Sequence, residues 1–431
     1  MLLRLPTLAR PLLTYLVLVL PLLIALGCDT EGESLFDPDR GANPDPVLGA
    51  VSPNSLDNIV LAGIDAITLT GQNFSTVAEE NLVYFNAVRA EVLSATATEL
   101  VVRAPNTPGE GLNVRVAVIG AENYSQGVDY RLISALSGVD AIQPFETPTG
   151  IGLDEAGDLF VSLDVPNPGG GGRVSTGVFE ISPDGMRSVY YDGTLFPWTD
   201  LEVGPNDELV GARGIRALFE LPEGGRQVTY LNATGVSPAP TIRSFEFAED
   251  GSLWAASGSG ILIYAPPGGG SFESFEVGDA VFDVALLDGN LYAAIDRNGM
   301  SQVVRFAITG PGSLGAEEPY FSLDPSTNAT ARRIALAADG TLFVGTDFVD
   351  PSQSFRDPVY IVDTNGNGTP LYTGVIGPQD AGERVRIDGF GWDPGTGLYT
   401  LRTFITGDGS EDDPITERST VIRIEARIQG S

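Results

Sequence analysis

Three aspartates and one arginine hold equivalent places in a recurring pattern. Asp200, Asp283 and Asp388 stand at the heads of short apolar strands that run to a turn and then to a leucine, and Arg333 heads a fourth. Gly150 and Ser244 head two more, with Trp198, Arg243 and Arg332 alongside. If the strand heads converge, the three carboxylates could hold a hard cation such as Ca2+ through oxygen. A water activated on that metal would support hydrolysis. Arg333 and Trp198 could instead take an anionic or sugar ligand by ion pairing and ring stacking. A third reading requires no ligand, since a water-filled channel simply needs hydrophilic lining.

A second oxygen cluster, Asp363, Asn365 and Asn367, is spaced as at the start of an EF-hand calcium loop. The twelfth position of such a loop needs a bidentate glutamate and is Gly374 here, so an Asn-Gly hairpin turn competes with the calcium reading. The residue types that are missing remove whole mechanisms. The 431 residues contain no histidine, and all 24 basic residues are arginine. Ser-His-Asp nucleophiles, imidazole metal ligands and lysine Schiff bases are therefore excluded. Carboxylate chemistry, oxygen-ligand metal binding, arginine–anion pairing and aromatic stacking remain. The net charge of −33 repels nucleic acid and favours cationic partners, so no nucleic-acid partner is expected.

The single cysteine, Cys28, follows Leu22-Leu23-Ile24-Ala25-Leu26-Gly27. A basic start at Arg4 and Arg10, an apolar stretch from Leu12 to Leu26 and small residues at the cut make a signal peptide. The apolar run carries Pro21 and is shorter than the roughly 20 residues a membrane-spanning helix needs, which disfavours an uncleaved span. The segment resembles the lipobox of bacterial lipoproteins, with Ala25 where that pattern usually has leucine. The resemblance implies cleavage after Gly27, diacylglycerol on the Cys28 thiol and a membrane partner reached through that lipid. Loss of Arg4 and Arg10 would move the net charge from −33 to −35. With its one thiol acylated, the chain could form neither a disulfide nor a cysteine zinc site.

The elements that must position the strand-head residues follow. Residues 28–47 are acidic, rich in Gly and Pro and without hydrophobic periodicity, as a flexible tether would be. From 48 to 132, short alternating segments such as Ile67–Thr70, Leu82–Phe85, Leu100–Arg103 and Val114–Val118 are separated by turn formers. About seven such strands predict a β-sandwich. Ser52-Pro53, Leu69-Thr70-Gly71-Gln72-Asn73-Phe74, Val83-Tyr84-Phe85-Asn86, Ala104-Pro105, Ser125 and Tyr130 resemble the IPT/TIG family of immunoglobulin-like domains. Asn86 replaces that family's usual glycine, and the resemblance implies a spacer or binding role with no catalytic residues.

Residues 133–431 repeat. Ile151–Val161, Leu201–Val210, Phe245–Ala255, Val284–Ala293, Ile334–Val344 and Phe390–Thr400 each pair an apolar strand with a turn and a second strand opening on leucine. From Leu159 to Leu398 the five intervals average about 48 residues, the length of a propeller blade. A third strand follows in each unit, and the last unit ends soon after it, so residues near Ala135–Phe145 are expected to complete the sixth blade. The expected fold class is all-β: a cleaved lipoprotein signal peptide (1–27), a tether (28–47), an Ig-like sandwich (48–132) and a six-bladed β-propeller (133–431).

The Asp-Gly-x-Leu-aromatic signature resembles NHL-repeat and gluconolactonase-type propellers. Gluconolactonase-type enzymes hold a divalent metal at the channel mouth through Glu, Asn and Asp. Here Gly150 stands where the first blade would supply the glutamate, and no matching Asn-Asp motif heads a middle blade. The leading expectation is therefore a lipid-anchored envelope protein presenting a non-catalytic propeller to a glycan, peptide or envelope protein. A cation-dependent hydrolase or lactonase at Asp200, Asp283 and Asp388 is the alternative, and a purely structural envelope role is the third.

Overall fold

A computed structural model describes residues 43–430 apart from 194–195, 326–328, 348–356, 373–374, 378–382, 408–409 and 411–413. Cys28, the signal segment, most of the tether and Gly374 lie outside the described residues. In the first unit, apolar alternation sends every second side chain inward. Strands β1 (Val47–Ser52), β2 (Ala66–Gln72), β3 (Asn81–Phe85), β4 (Val88–Ala95), β5 (Glu99–Arg103), β6 (Gly109–Val118) and β7 (Val128–Leu132) form one path in the order β1-β2-β5-β4-β3-β6-β7. Ile67 and Leu69 of β2, Leu100 and Val102 of β5, Phe85 of β3, and Val114 and Val116 of β6 are fully buried between the layers. Strand β4 joins the layers by changing partner. Val88–Ala90 pair with β3, and from Glu91 onward the strand pairs with β5. The Tyr130 hydroxyl donates to the Pro53 carbonyl at 2.7 Å and fastens β7 to the segment after β1.

Among the described residues, the second unit is a ring of six four-stranded antiparallel blades, of which the fifth and sixth are joined into one eight-stranded sheet by the pairing of Asp347 with Arg386. Their inner strands are Thr147–Leu153, Asp200–Val203, Ile242–Phe247, Ala280–Leu287, Thr330–Leu336 and Arg384–Trp392. Each inner strand lies beside the next, and the sixth returns to the first. The recurring aspartate serves the turn that follows. The Oδ1 atoms of Asp154, Asp339 and Asp393 accept backbone N–H groups two residues on, which closes a tight loop before the second strand.

The blades are held together sideways. Six apolar clusters each span two consecutive blades, so no blade buries its faces alone. Closure comes from the chain's early residues: Leu136–Gly138 pairs with Thr416–Glu425 as the outer strand of blade six, matching Leu136 to Ile424 and Gly138 to Ile422. Ile424 is fully buried where blades five and six meet. Ile424→Ala should cost about 2–5 kcal/mol of unfolding free energy in urea. Val228→Ala, at an exposed position on blade two, should stay within about 0.5 kcal/mol of the parent protein. Equal effects of the two would contradict this packing.

Candidate functional site at the propeller channel

The channel lining is set by bulges. In five blades the pairing of the inner strand with its neighbour slips by one residue near the strand head, and the extra residues are Thr149, Arg243, Phe282, Arg332 and Asp388. Blade two has no slip, and Asp200 pairs directly with Ala212. A bulge re-aims the side chains around it. The residues in register at the upper mouth are thus Gly150, Asp200, Ser244, Asp283, Arg333 and Gly389. Asp388 is displaced from this ring, contrary to the sequence expectation, because one extra residue shifts it out of register. Its carboxylate accepts from Arg386 Nε at 2.7 Å and from the Thr403 hydroxyl at 2.6 Å.

Arg333 occupies the space between the two remaining aspartates. Its Nη1 lies 3.5 Å from Asp200 and 3.7 Å from Asp283. Its Nε donates to the Asp388 carbonyl at 2.7 Å and its Nη2 to the Thr199 carbonyl at 3.3 Å. The carboxylates also bind neighbouring blades. Asp200 accepts from the Phe245 amide at 3.2 Å, while Asp283 accepts from the Ser244 hydroxyl and from the Ile334 amide, the latter at 2.6 Å. Burial pushes Asp200 up to about 7, against the pull of Arg333, and Asp283 adds to the rise. Burial likewise raises Asp283. Burial works against the Arg333 charge, yet the surrounding aspartates hold its pKa above the ordinary arginine value.

Two glutamates not singled out in the sequence lie deeper. Glu202 and Glu246 follow Asp200 and Ser244 by two residues, which places them on the same face of their strands. They line a cavity of about 190 Å³ whose wall includes Gly152, Ala335, Gly391 and Trp392. Both residues are half-buried in the wall of that cavity. Burial, with smaller contributions from Asp283 and Asp200, raises Glu246 to about 8. Burial, then Asp200 and Glu246, raises Glu202 well above its ordinary value. The signal that could have found them was an acid two residues after the channel-facing residue of an inner strand, between two apolar neighbours. Blades one and two come too close for such a side chain at the matching positions. A Cβ on Gly150 would sit 2.7 Å from the Trp198 carbonyl oxygen, and one on Gly152 would sit 2.5 Å from that of Leu201.

Other candidates fall elsewhere. Trp198 is fully buried in the core shared by blades one and two, edge-on to Tyr191 and Phe219, so it offers no face to a ligand at the rim. Asp363, Asn365 and Asn367 form the turn between the third and fourth strands of blade five. The Asp363 carboxylate accepts from the amides of Asn365 and Asn367 at 2.9 and 2.8 Å and from the Asn367 side chain at 3.0 Å. Those hydrogen bonds, led by the Asn367 side chain, hold its pKa below the ordinary range. The carboxylate is spent on its own turn. Among the described residues, no group of three or more His, Cys, Asp or Glu side chains is placed to hold a metal ion.

Residues 46–131 match the IPT/TIG domain family. No curated protein matches the chain in sequence. Among solved structures, the chain is similar to a Bacteroides thetaiotaomicron protein described as a candidate phosphatase, at 10% identity and a TM-score of 0.51, over 92% of this chain and 99% of that one. It also resembles an auxiliary nutrient binding protein from that organism, at 12% identity and a TM-score of 0.44, over 90% of this chain and 99% of that one. A gluconolactonase from Xanthomonas campestris aligns at 15% identity and a TM-score of 0.47, over 67% of this chain and 88% of that one. At such identities the likeness concerns the fold alone.

The channel carboxyls make stability depend on pH. Glu246 keeps its proton in the folded protein up to about 8, whereas the unfolded chain releases it above about 4.5. The folded state therefore binds the proton more tightly, and this contribution to stability declines as pH rises from about 4.5 to about 8. Glu246→Gln should match the parent protein near pH 4.5 and exceed it by about 4 kcal/mol at pH 8 in urea unfolding. A difference that does not change with pH would refute the assignment.

Proposed function

We propose that this chain is a lipid-anchored bacterial envelope protein whose propeller is a non-catalytic binding platform for a glycan, peptide or envelope-protein ligand. The observation that carries the non-catalytic reading is Arg333 between Asp200 and Asp283. A cation-dependent hydrolase at the rim needs three carboxylates around an open position. Here a guanidinium fills that position, and the third carboxylate, Asp388, is turned to Arg386 and Thr403. The remaining acceptor capacity of Asp200 and Asp283 is taken up by the backbone amides of neighbouring blades, as expected of groups that brace the ring.

The anchor reading rests on the run from Leu12 to Cys28 and on the acidic tether that follows. In chain order, a lipid on Cys28, a tether, an Ig-like unit and a propeller would hold a binding domain at a membrane. Expressed in a bacterium with radiolabelled palmitate, the parent protein should take up label and fractionate with membranes. Cys28→Ser should lose both, and retained label would exclude the lipobox. With Ca2+ and a panel of sugar lactones, the purified protein should hydrolyse no faster than buffer. Turnover abolished by Asp200→Asn would overturn the non-catalytic reading in favour of the hydrolase.

A further inference from the structure

The bulges that displace Asp388 from the channel also build a cationic, aromatic surface at the upper mouth. The extra residues of blades three, four and five are Arg243, Phe282 and Arg332. Both guanidinium carbons lie 4.9 Å from the centroid of the Phe282 ring. Arg332 is neutralised by Asp347, with Nη2 to Oδ2 at 2.6 Å. Arg243 has no hydrogen-bond or carboxylate partner among the described residues. It packs against Gly258, where a Cβ would fall 2.5 Å from its Nε. Burial, then the like charges of Arg332 and Arg333, push its pKa below the ordinary value.

A second unit of the same kind stands on blade two. Arg213 follows the second strand, whose last residue, Ala212, pairs with Asp200, so it shares the upper face. Its guanidinium lies 4.4 Å from the Phe219 ring and 5.7 Å from that of Phe196, which is 59% exposed. Arg213 also lacks a hydrogen-bond or carboxylate partner among the described residues, and burial lowers its pKa.

Unpaired arginines are unexpected here, because the chain carries 57 acidic residues against 24 basic ones. A partly buried guanidinium without a counter-ion has lost solvation and gained no partner. Holding Arg243 beside two other arginines adds repulsion. A bound anion would relieve both costs. The planar guanidinium fork matches a carboxylate, and an adjoining ring face suits the C–H face of a pyranose. A single small anion would use one such unit, whereas two arginine–phenylalanine units on one face fit a chain of repeated acidic sugars. Long-range repulsion from the acidic remainder is screened beyond about 8 Å at physiological salt, so the local contacts decide.

We propose that the upper face of the propeller binds a uronic-acid glycan, with Arg243 and Arg213 taking carboxylates and Phe282 and Phe196 packing against sugar rings. The proposal rests on the binding-platform reading and names its ligand class. The test is calorimetric titration of the full chain in detergent with an oligogalacturonate, its methyl ester and a neutral gluco-oligosaccharide, with an acidic peptide as a further arm. Oligogalacturonate should bind and its methyl ester should not. Arg243→Gln should weaken binding by about tenfold or more, with Arg243→Lys recovering part of the loss. Phe282→Leu should weaken it by about threefold or more, and unchanged thermal melts would verify the fold of each variant. Oligogalacturonate affinity indifferent to Arg243→Gln would overturn the proposal. Binding of the neutral glycan or the peptide alone would sink it while sparing the platform reading, and binding of none of the four would count against both.

Discussion

A buried guanidinium held between two carboxylates organises the propeller channel. Arg333 of blade five reaches Asp200 of blade two and Asp283 of blade four, and donates to backbone carbonyls of blades two and six. Desolvating three charges is expensive, and their mutual attraction offsets that cost only when the remaining donors and acceptors are also satisfied. Here they are largely satisfied by main-chain groups of neighbouring blades. The network thus constrains how the inner strands sit around the axis, a role the apolar clusters between blades do not perform because hydrophobic contact is non-directional.

The channel is lopsided for a steric reason. Acidic side chains come from blades two, three and four, whereas blades one and six contribute glycines at the matching ring positions. Gly150 and Gly152 face the backbone of blade two, and a Cβ on Gly391 would meet Leu153 at 2.5 Å. Where the inner strands of blades one and two press together, backbone atoms leave no room for a side chain at Gly150 or Gly152. The space left opposite the acids receives Arg333 above and the small cavity beside Glu202 and Glu246 below.

The two mouths differ in charge. The upper carries Arg213, Arg243 and Arg332 with exposed aromatic surface. At the lower mouth, Asp154, Glu155, Asp207, Glu249 and Asp393 surround a cavity of about 550 Å³. Several of those acids are turn residues whose carboxylates already accept backbone amides, as at Asp154 and Asp393. Of the arginines above, Arg332 is paired with Asp347 but Arg213 and Arg243 have no such employment, which is why the upper face supports the stronger case for a ligand. A propeller supports many activities, so the case rests on these side chains and not on the architecture.

Much of the architecture was legible in the order of residues. Alternation at Ile67, Leu69, Leu100 and Val102 specified half-buried strands, and the spacing of Leu159 through Leu398 specified blades. The early end of the last unit implied that a segment near Ala135 must complete it, because an unpaired outer strand edge is unstable. The absence of histidine and lysine excluded Ser-His-Asp nucleophiles and lysine Schiff bases whatever the fold. Which way a side chain points was a different matter. One extra residue in a strand reverses the face of the next, so Asp388 left the channel and Arg243, Phe282 and Arg332 gathered above it. Trp198 read as a rim aromatic, and the packing of two blades made it core. The partnership of Arg333 with Asp200 and Asp283 joins residues 133 and 50 positions apart, and local sequence carries no record of that approach. Periodic burial is written into consecutive residues, so the sequence alone determined the elements and their repetition. Register and ring closure arise from contacts between distant strands, so only the tertiary structure decided which charges meet and which stay apart.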